Sequence, residues 1–137
     1  MRIRTLVAPI LILAAGLTAC GGGDNGGGNP PVPGLLTVSL SSAPSNPGAI
    51  MFTVSGGQID AVTTGSYPTY QTTLNSTSRR VLLTGAITTG SLVQIQVPDI
   101  NKASSYTASI QQVAARGTDP APYAQLPVAG FSIAVTQ

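Results

Sequence analysis

The chain has no histidine, no glutamate and no tryptophan, and it has one cysteine in 137 residues. Each absence removes a class of chemistry. Without histidine and with a single thiol there is no ligand set for zinc. One cysteine forms no intramolecular disulfide, so no covalent cross-link supports the fold. General acid–base catalysis is left with a few aspartates, one lysine and tyrosines. Charged residues make up only 7% of the chain, and no basic cluster supplies the electrostatic footprint that nucleic-acid binding needs.

What the chain has instead is Ser, Thr, Gly and short apolar runs. The first of these runs sets the context for the rest. Arg2 and Arg4 precede an apolar stretch, Leu6 to Leu17, interrupted only by Pro9 and small residues, and small residues lead into Cys20. That is the order of parts in a secretory signal peptide. The run falls short of the ~20 apolar residues of a membrane-spanning helix, and a polar Gly-rich segment follows at once.

Leu17-Thr18-Ala19-Cys20 resembles the lipobox of bacterial lipoproteins, in which the cysteine is acylated and the chain is cut just before it. The resemblance implies a signal peptide over 1–19, a lipidated Cys20 and a lipid bilayer as the first partner. Acylation would also remove an unpaired thiol from an oxidising compartment. Two or more acyl chains hold a protein firmly, at ~0.8 kcal/mol per buried CH₂. Gly21, at the position where enteric lipoproteins carry a retention aspartate, implies the outer membrane.

Removal of the first 19 of the 137 residues leaves 118, enough for one domain. The mature side chains then balance Arg79, Arg80, Lys102 and Arg116 against Asp24, Asp60, Asp99 and Asp119, so the net charge is near zero. Residues 21–34, GGGDNGGGNPPVPG, read as a linker, flexible where glycine dominates and stiffer at Pro30, Pro31 and Pro33. We place the linker, with Cys20, at 20–34 and the domain at 35–137.

Within the domain, apolar residues recur with period two and are separated by Gly, Pro, Asn and Ser clusters. That pattern predicts an all-β sandwich of seven or eight short strands. The clearest inward-facing sets are Leu36/Val38/Leu40, Ile50/Phe52/Val54, Val93/Ile95/Val97, Tyr106/Ala108/Ile110 and Phe131/Ile133/Val135. Shorter strands are expected at Ile59–Thr63, Tyr70–Leu74 and Arg80–Thr84. Thr118–Pro127, with three prolines, reads as a long loop. No stretch sustains a helical period.

Tyr106, opening the penultimate strand, resembles the tyrosine corner of immunoglobulin-like and fibronectin type III domains. The resemblance implies a structural hydroxyl bonded to backbone a few residues upstream, although the tryptophan and cysteine pair of immunoglobulin domains are missing here. The strand Gly48–Val54 also resembles those that open cohesin-like and carbohydrate-binding sandwiches. None of these folds carries a function with it.

Candidate chemistry is sparse. Asp60 and Asp99 are conceivable glycosidase carboxylates, but nothing in their spacing places them together, and strand-end and turn roles are the simpler account. Lys102 beside Ser104 and Ser105 has the residue types of a Ser–Lys pair, in a segment that reads as a loop. Asp99-Ile100-Asn101 has the alternating oxygens that begin calcium loops, without the glycine-assisted turn or further oxygens that calcium requires; a turn closed by its own side chains is the simpler account. Arg79-Arg80 reads as an exposed pair blunting an edge strand rather than as a phosphate or lipid-headgroup site. Asn75-Ser76-Thr77 matches a glycosylation acceptor, with little meaning in a bacterial lipoprotein.

Tyr67-Pro68-Thr69-Tyr70 is the best candidate binding surface. Two tyrosines around a ladder-breaking proline can present flat faces to sugar rings. In the alternative, one packs inward and the other covers an edge, as amphipathic tyrosines do. The expectation is a non-enzymatic envelope lipoprotein with a structural or protein-interaction role and no cofactor. A carbohydrate-binding module using Tyr67 and Tyr70 is the alternative.

Overall fold

The computed structural model describes residues 28–117 and 123–137. Cys20, the signal segment and most of the Gly-rich linker lie outside the described residues. Among the described residues, no helix is long and apolar enough to cross a membrane.

The chain folds as an all-β sandwich of two antiparallel sheets. Its strands are β1 Gly34–Ser42, β2 Pro47–Ser55, β3 Ala61–Thr64, β4 Thr69–Asn75, β5 Ser78–Thr84, β6 Gly90–Val97, β7 Thr107–Ala115, β8 Gln125–Leu126 and β9 Ser132–Thr136. One sheet has the order β3-β6-β1-β9 and the other β4-β5-β2-β7-β8. Nine strands are thus described where the periodicity predicts seven or eight. The addition is β8, a two-residue strand inside the proline-rich segment expected to be loop, where Val113 pairs with Leu126.

The core lies between the sheets, and period two builds it. Leu36, Val38 and Leu40 meet Ile50, Phe52 and Val54 across the interface, with Val81, Leu83, Val93, Ile95 and Val97 completing both walls. Each wall has one face inward and one outward because successive side chains alternate. Ile87 closes one end of the core from the β5–β6 connection. Its amide donates to Pro47 O at 3.1 Å, so the turn is drawn into the sandwich.

Only β4–β5 and β7–β8 are hairpins within a sheet. Every other connection crosses from one sheet to the other, so most neighbouring strands are distant in sequence.

The alternation predicted for Tyr106, Ala108 and Ile110 holds only in part. Tyr106 precedes β7 and is buried, whereas Ala108 and Ile110 are half-buried. A register shift opposite Met51/Phe52 then makes Val113 the fully buried residue of β7. Between β6 and β7, Ile100–Ser105 forms a short 3₁₀ segment broken at Lys102, too brief to leave a helical period in the sequence.

The N-terminal boundary also differs from the composition reading. Residues assigned to the linker are bonded to the domain: Ile100 N–H donates to Val32 O at 2.8 Å and Val32 N–H to Asp99 Oδ1 at 3.2 Å. Gly34 already pairs with Val97, and a Cβ at Gly34 would strike the Ile100 side chain. Pro30–Gly34 therefore lies as a strap against the 3₁₀ segment.

Candidate functional site

Strand alternation and the turn at Pro68 separate the two candidate tyrosines. Tyr67 packs against the core, and its hydroxyl accepts from Thr88 N–H at 3.2 Å and lies 3.4 Å from the Thr88 hydroxyl. It tethers the β5–β6 connection. Tyr70 stands on edge strand β4 with 63% of its surface exposed, on the outer face of the five-stranded sheet.

That outer face carries two cavities. Antiparallel register aligns Tyr70 with Leu82, Leu82 with Met51 and Met51 with Gln112 across four strands. Both cavities open along this row. One, of about 590 Å³, is lined by Tyr70, Thr72, Arg80, Leu82 and Met51, among others. The second, of about 240 Å³, is lined by Met51, Leu82, Ala49, Gln112, Gln125 and Tyr123, among others. They share Met51 and Leu82, so they adjoin as a paired groove along this row.

Tyr123 forms the other end of the groove. It is 57% exposed, and its ring lies where a Cβ on Gly48 would be; only glycine leaves it that seat on β2. The sequence reading missed Tyr123. Proline-rich surroundings hide it, and its placement comes from β8 pairing, which no local pattern announces. Tyr70 and Ala49, beside which Tyr123 sits, are two strands and two residues apart. At ~4.8 Å per strand and ~3.4 Å per residue that is about 12 Å.

The arginine pair divides between the faces of β5. β5 is an interior strand, so the pair does not blunt an edge. Arg80 points outward into the groove. Arg79 points inward, with Nη2 donating to Ile59 O at 2.9 Å, Nη1 bonded to Thr73 Oγ1, and Nε buried without a partner.

The remaining candidates are tied up in local structure. Asp99 Oδ1 accepts from Val32 N–H, Asn101 N–H and Asn101 Nδ2. The Val32 amide does most to hold its carboxyl below the usual range; burial opposes this, and Asn101 and the Lys102 charge assist. Asp60 accepts from Gln58 Nε2 at 2.7 Å and is exposed. Both carboxylates lie near enough to Tyr106 to raise its phenol pKa, after burial, the largest cause. The Ser105 hydroxyl donates to Lys102 O at 2.8 Å, which closes the 3₁₀ turn rather than forming a Ser–Lys pair. Asn75 Oδ1 accepts from Thr77 N–H and Oγ1–H in the β4–β5 turn. No group of three or more acidic, histidine or cysteine side chains with metal-site spacing occurs among the described residues.

Tyr106 is buried, at 6% exposure, and its hydroxyl donates at 2.7 Å to Gln58 O. The acceptor is 48 residues upstream, in the β2–β3 connection. This differs from a tyrosine corner, whose acceptor lies a few residues away. Gly57 makes room for it, since a Cβ there would meet the phenol oxygen.

The chain matches no known protein family, no curated protein and no solved structure. The reading of the site therefore rests on its own geometry.

Proposed function

We propose that the chain is a non-enzymatic lipoprotein of the bacterial cell envelope, anchored through acylated Cys20 at the outer membrane, whose domain binds a partner through the outer face of its five-stranded sheet. One observation carries the binding half of this reading. An outer sheet face is ordinarily polar, yet here Met51, Leu82 and Ala49 floor a groove with Tyr70 and Tyr123 exposed at its ends. Apolar surface rimmed by polar groups marks interaction sites.

Another envelope protein seated on this face is the first candidate partner. A glycan is the second, favoured by the tyrosine pair beside the Gln112, Gln125 and Thr72 side chains, because sugars offer both flat faces and hydroxyls. Membrane fractionation with mass spectrometry of the mature N-terminus tests the anchor. Acylated Cys20, and loss of membrane attachment in Cys20→Ser, are the expected results; an unmodified Cys20 on a soluble chain would overturn it. A photo-crosslinking residue at position 70 tests the face in whole cells. It should trap a protein or a glycan, and trapping neither would overturn the binding reading.

A further inference from the structure

We infer that the groove binds a linear oligosaccharide that carries carboxylates, with rings stacked on Tyr70 and Tyr123 and an acid group held by Arg80. The inference rests on the glycan reading above and adds the chemical class of the ligand.

Relief comes first. The apolar floor residues Ala49, Met51 and Leu82 are half-buried, while Tyr70, Thr72, Arg80, Gln112, Tyr123 and Gln125 stand exposed around them. A protein interface centres on a packed, largely uncharged apolar core that is dry. Here the apolar atoms are recessed and the projecting groups are aromatic rings or hydrogen-bonding side chains. That relief suits a ligand whose rings have apolar faces and polar edges.

Tyr70 and Ala49 lie about 12 Å apart by strand spacing and rise, and Tyr123 lines the same cavity as Ala49. One sugar ring stacks on one tyrosine; a linear oligomer reaches both.

Charge selects among such oligomers. Arg80 is the charged side chain lining these two cavities. The carboxylates among the described residues are engaged elsewhere, Asp60 by Gln58, and Asp99 by Val32 and Asn101. A guanidinium beside a tyrosine ring, with neither described aspartate paired to it, presents a planar fork that matches a carboxylate bidentately. A neutral glycan leaves that fork unused.

The test uses the purified full-length lipoprotein in detergent, with oligogalacturonate and oligomannuronate as probes and their carboxyl-reduced neutral counterparts as controls. Binding is read by calorimetry. We expect the acidic oligomers to bind at least about tenfold more tightly than the neutral ones, the scale of a lost charge-assisted pair. Arg80→Gln should abolish that preference. Tyr70→Ala and Tyr123→Ala should each weaken both kinds of probe about tenfold or more, and Tyr67→Phe should weaken neither. All these side chains are exposed except Tyr67, and thermal melting of each variant confirms the fold.

Equal binding of acidic and neutral oligomers, unchanged in Arg80→Gln, would overturn the acidic class while leaving the glycan reading standing. No binding of any oligomer, with a protein trapped at position 70, would overturn the inference and leave the binding face intact. No binding together with an empty crosslink would overturn both.

Discussion

At the scale of single residues, Tyr106 joins parts of the chain that no local interaction would bring together. Its hydroxyl bonds to Gln58 O and its ring is buried against the core, so Tyr106→Phe leaves a part-buried carbonyl short of a donor. We expect a loss of about 1–2 kcal/mol in denaturant unfolding. Burial, then Asp60 and Asp99, raises the phenol pKa above the ordinary tyrosine value near 10. A raised folded pKa gives stability that is complete below the unfolded value and lost as pH rises through the folded one. The wild-type protein should therefore lose stability above about pH 10, and Tyr106→Phe should remove that part of the alkaline loss. A parallel pH profile in both proteins would contradict the assignment. Arg79 and Arg80 make a complementary point: two adjacent arginines read as one surface feature, but a strand sends them to opposite faces.

At the scale of elements, the strap Pro30–Gly34 carries a consequence for the tether. Val32 is bonded on both sides, to Asp99 Oδ1 and to Ile100 N–H, which shortens the free linker and fixes where it leaves the sandwich. Asp99→Ala should speed hydrogen exchange at the Val32 and Asn101 amides while sparing β2 and β5; uniform exchange across the sheet would show that the strap is not separable. Lowering the pH acts in the same direction. The depressed Asp99 pKa gives stability that is present above the ordinary carboxylate value and lost as pH falls through the lower folded one, so the strap should loosen only below about pH 4. A chain beginning at Leu35 should melt lower than one beginning at Gly28, because it lacks these bonds and the Gly34–Val97 pair. The linker reading went no further because Gly-Pro composition reports flexibility in the free chain, whereas docking depends on the Asp99 acceptor 67 residues away. β8 was illegible for a related reason: two residues between prolines have no period, and their strand character comes from pairing with β7.

At the scale of the whole molecule, the two sheets are interleaved by connections that cross the sandwich, and β1 sits between β6 and β9. Such non-local pairing makes loop closure precede the contacts that reward it. The unlipidated Cys20→Ser chain should refold in milliseconds to seconds, as sandwiches of high contact order do; microsecond refolding would be inconsistent with this topology. The candidate groove belongs to the same scale, since Tyr70, Arg80, Met51 and Tyr123 come from four separate segments.

The sequence by itself determined the all-β sandwich and most of its core, because period two is a local property that decides which side chains face inward. Leu36, Val38, Leu40, Ile50, Phe52 and Val54 were readable as buried from spacing alone, and all are buried. Tertiary structure alone decided which strands are neighbours, that Tyr67 packs while Tyr70 stands free, and that Tyr123 seats over Gly48 at the far end of the paired groove. Those outcomes depend on register and sheet order. Both arise from the global fit of two apolar faces, to which no short stretch of the chain has access.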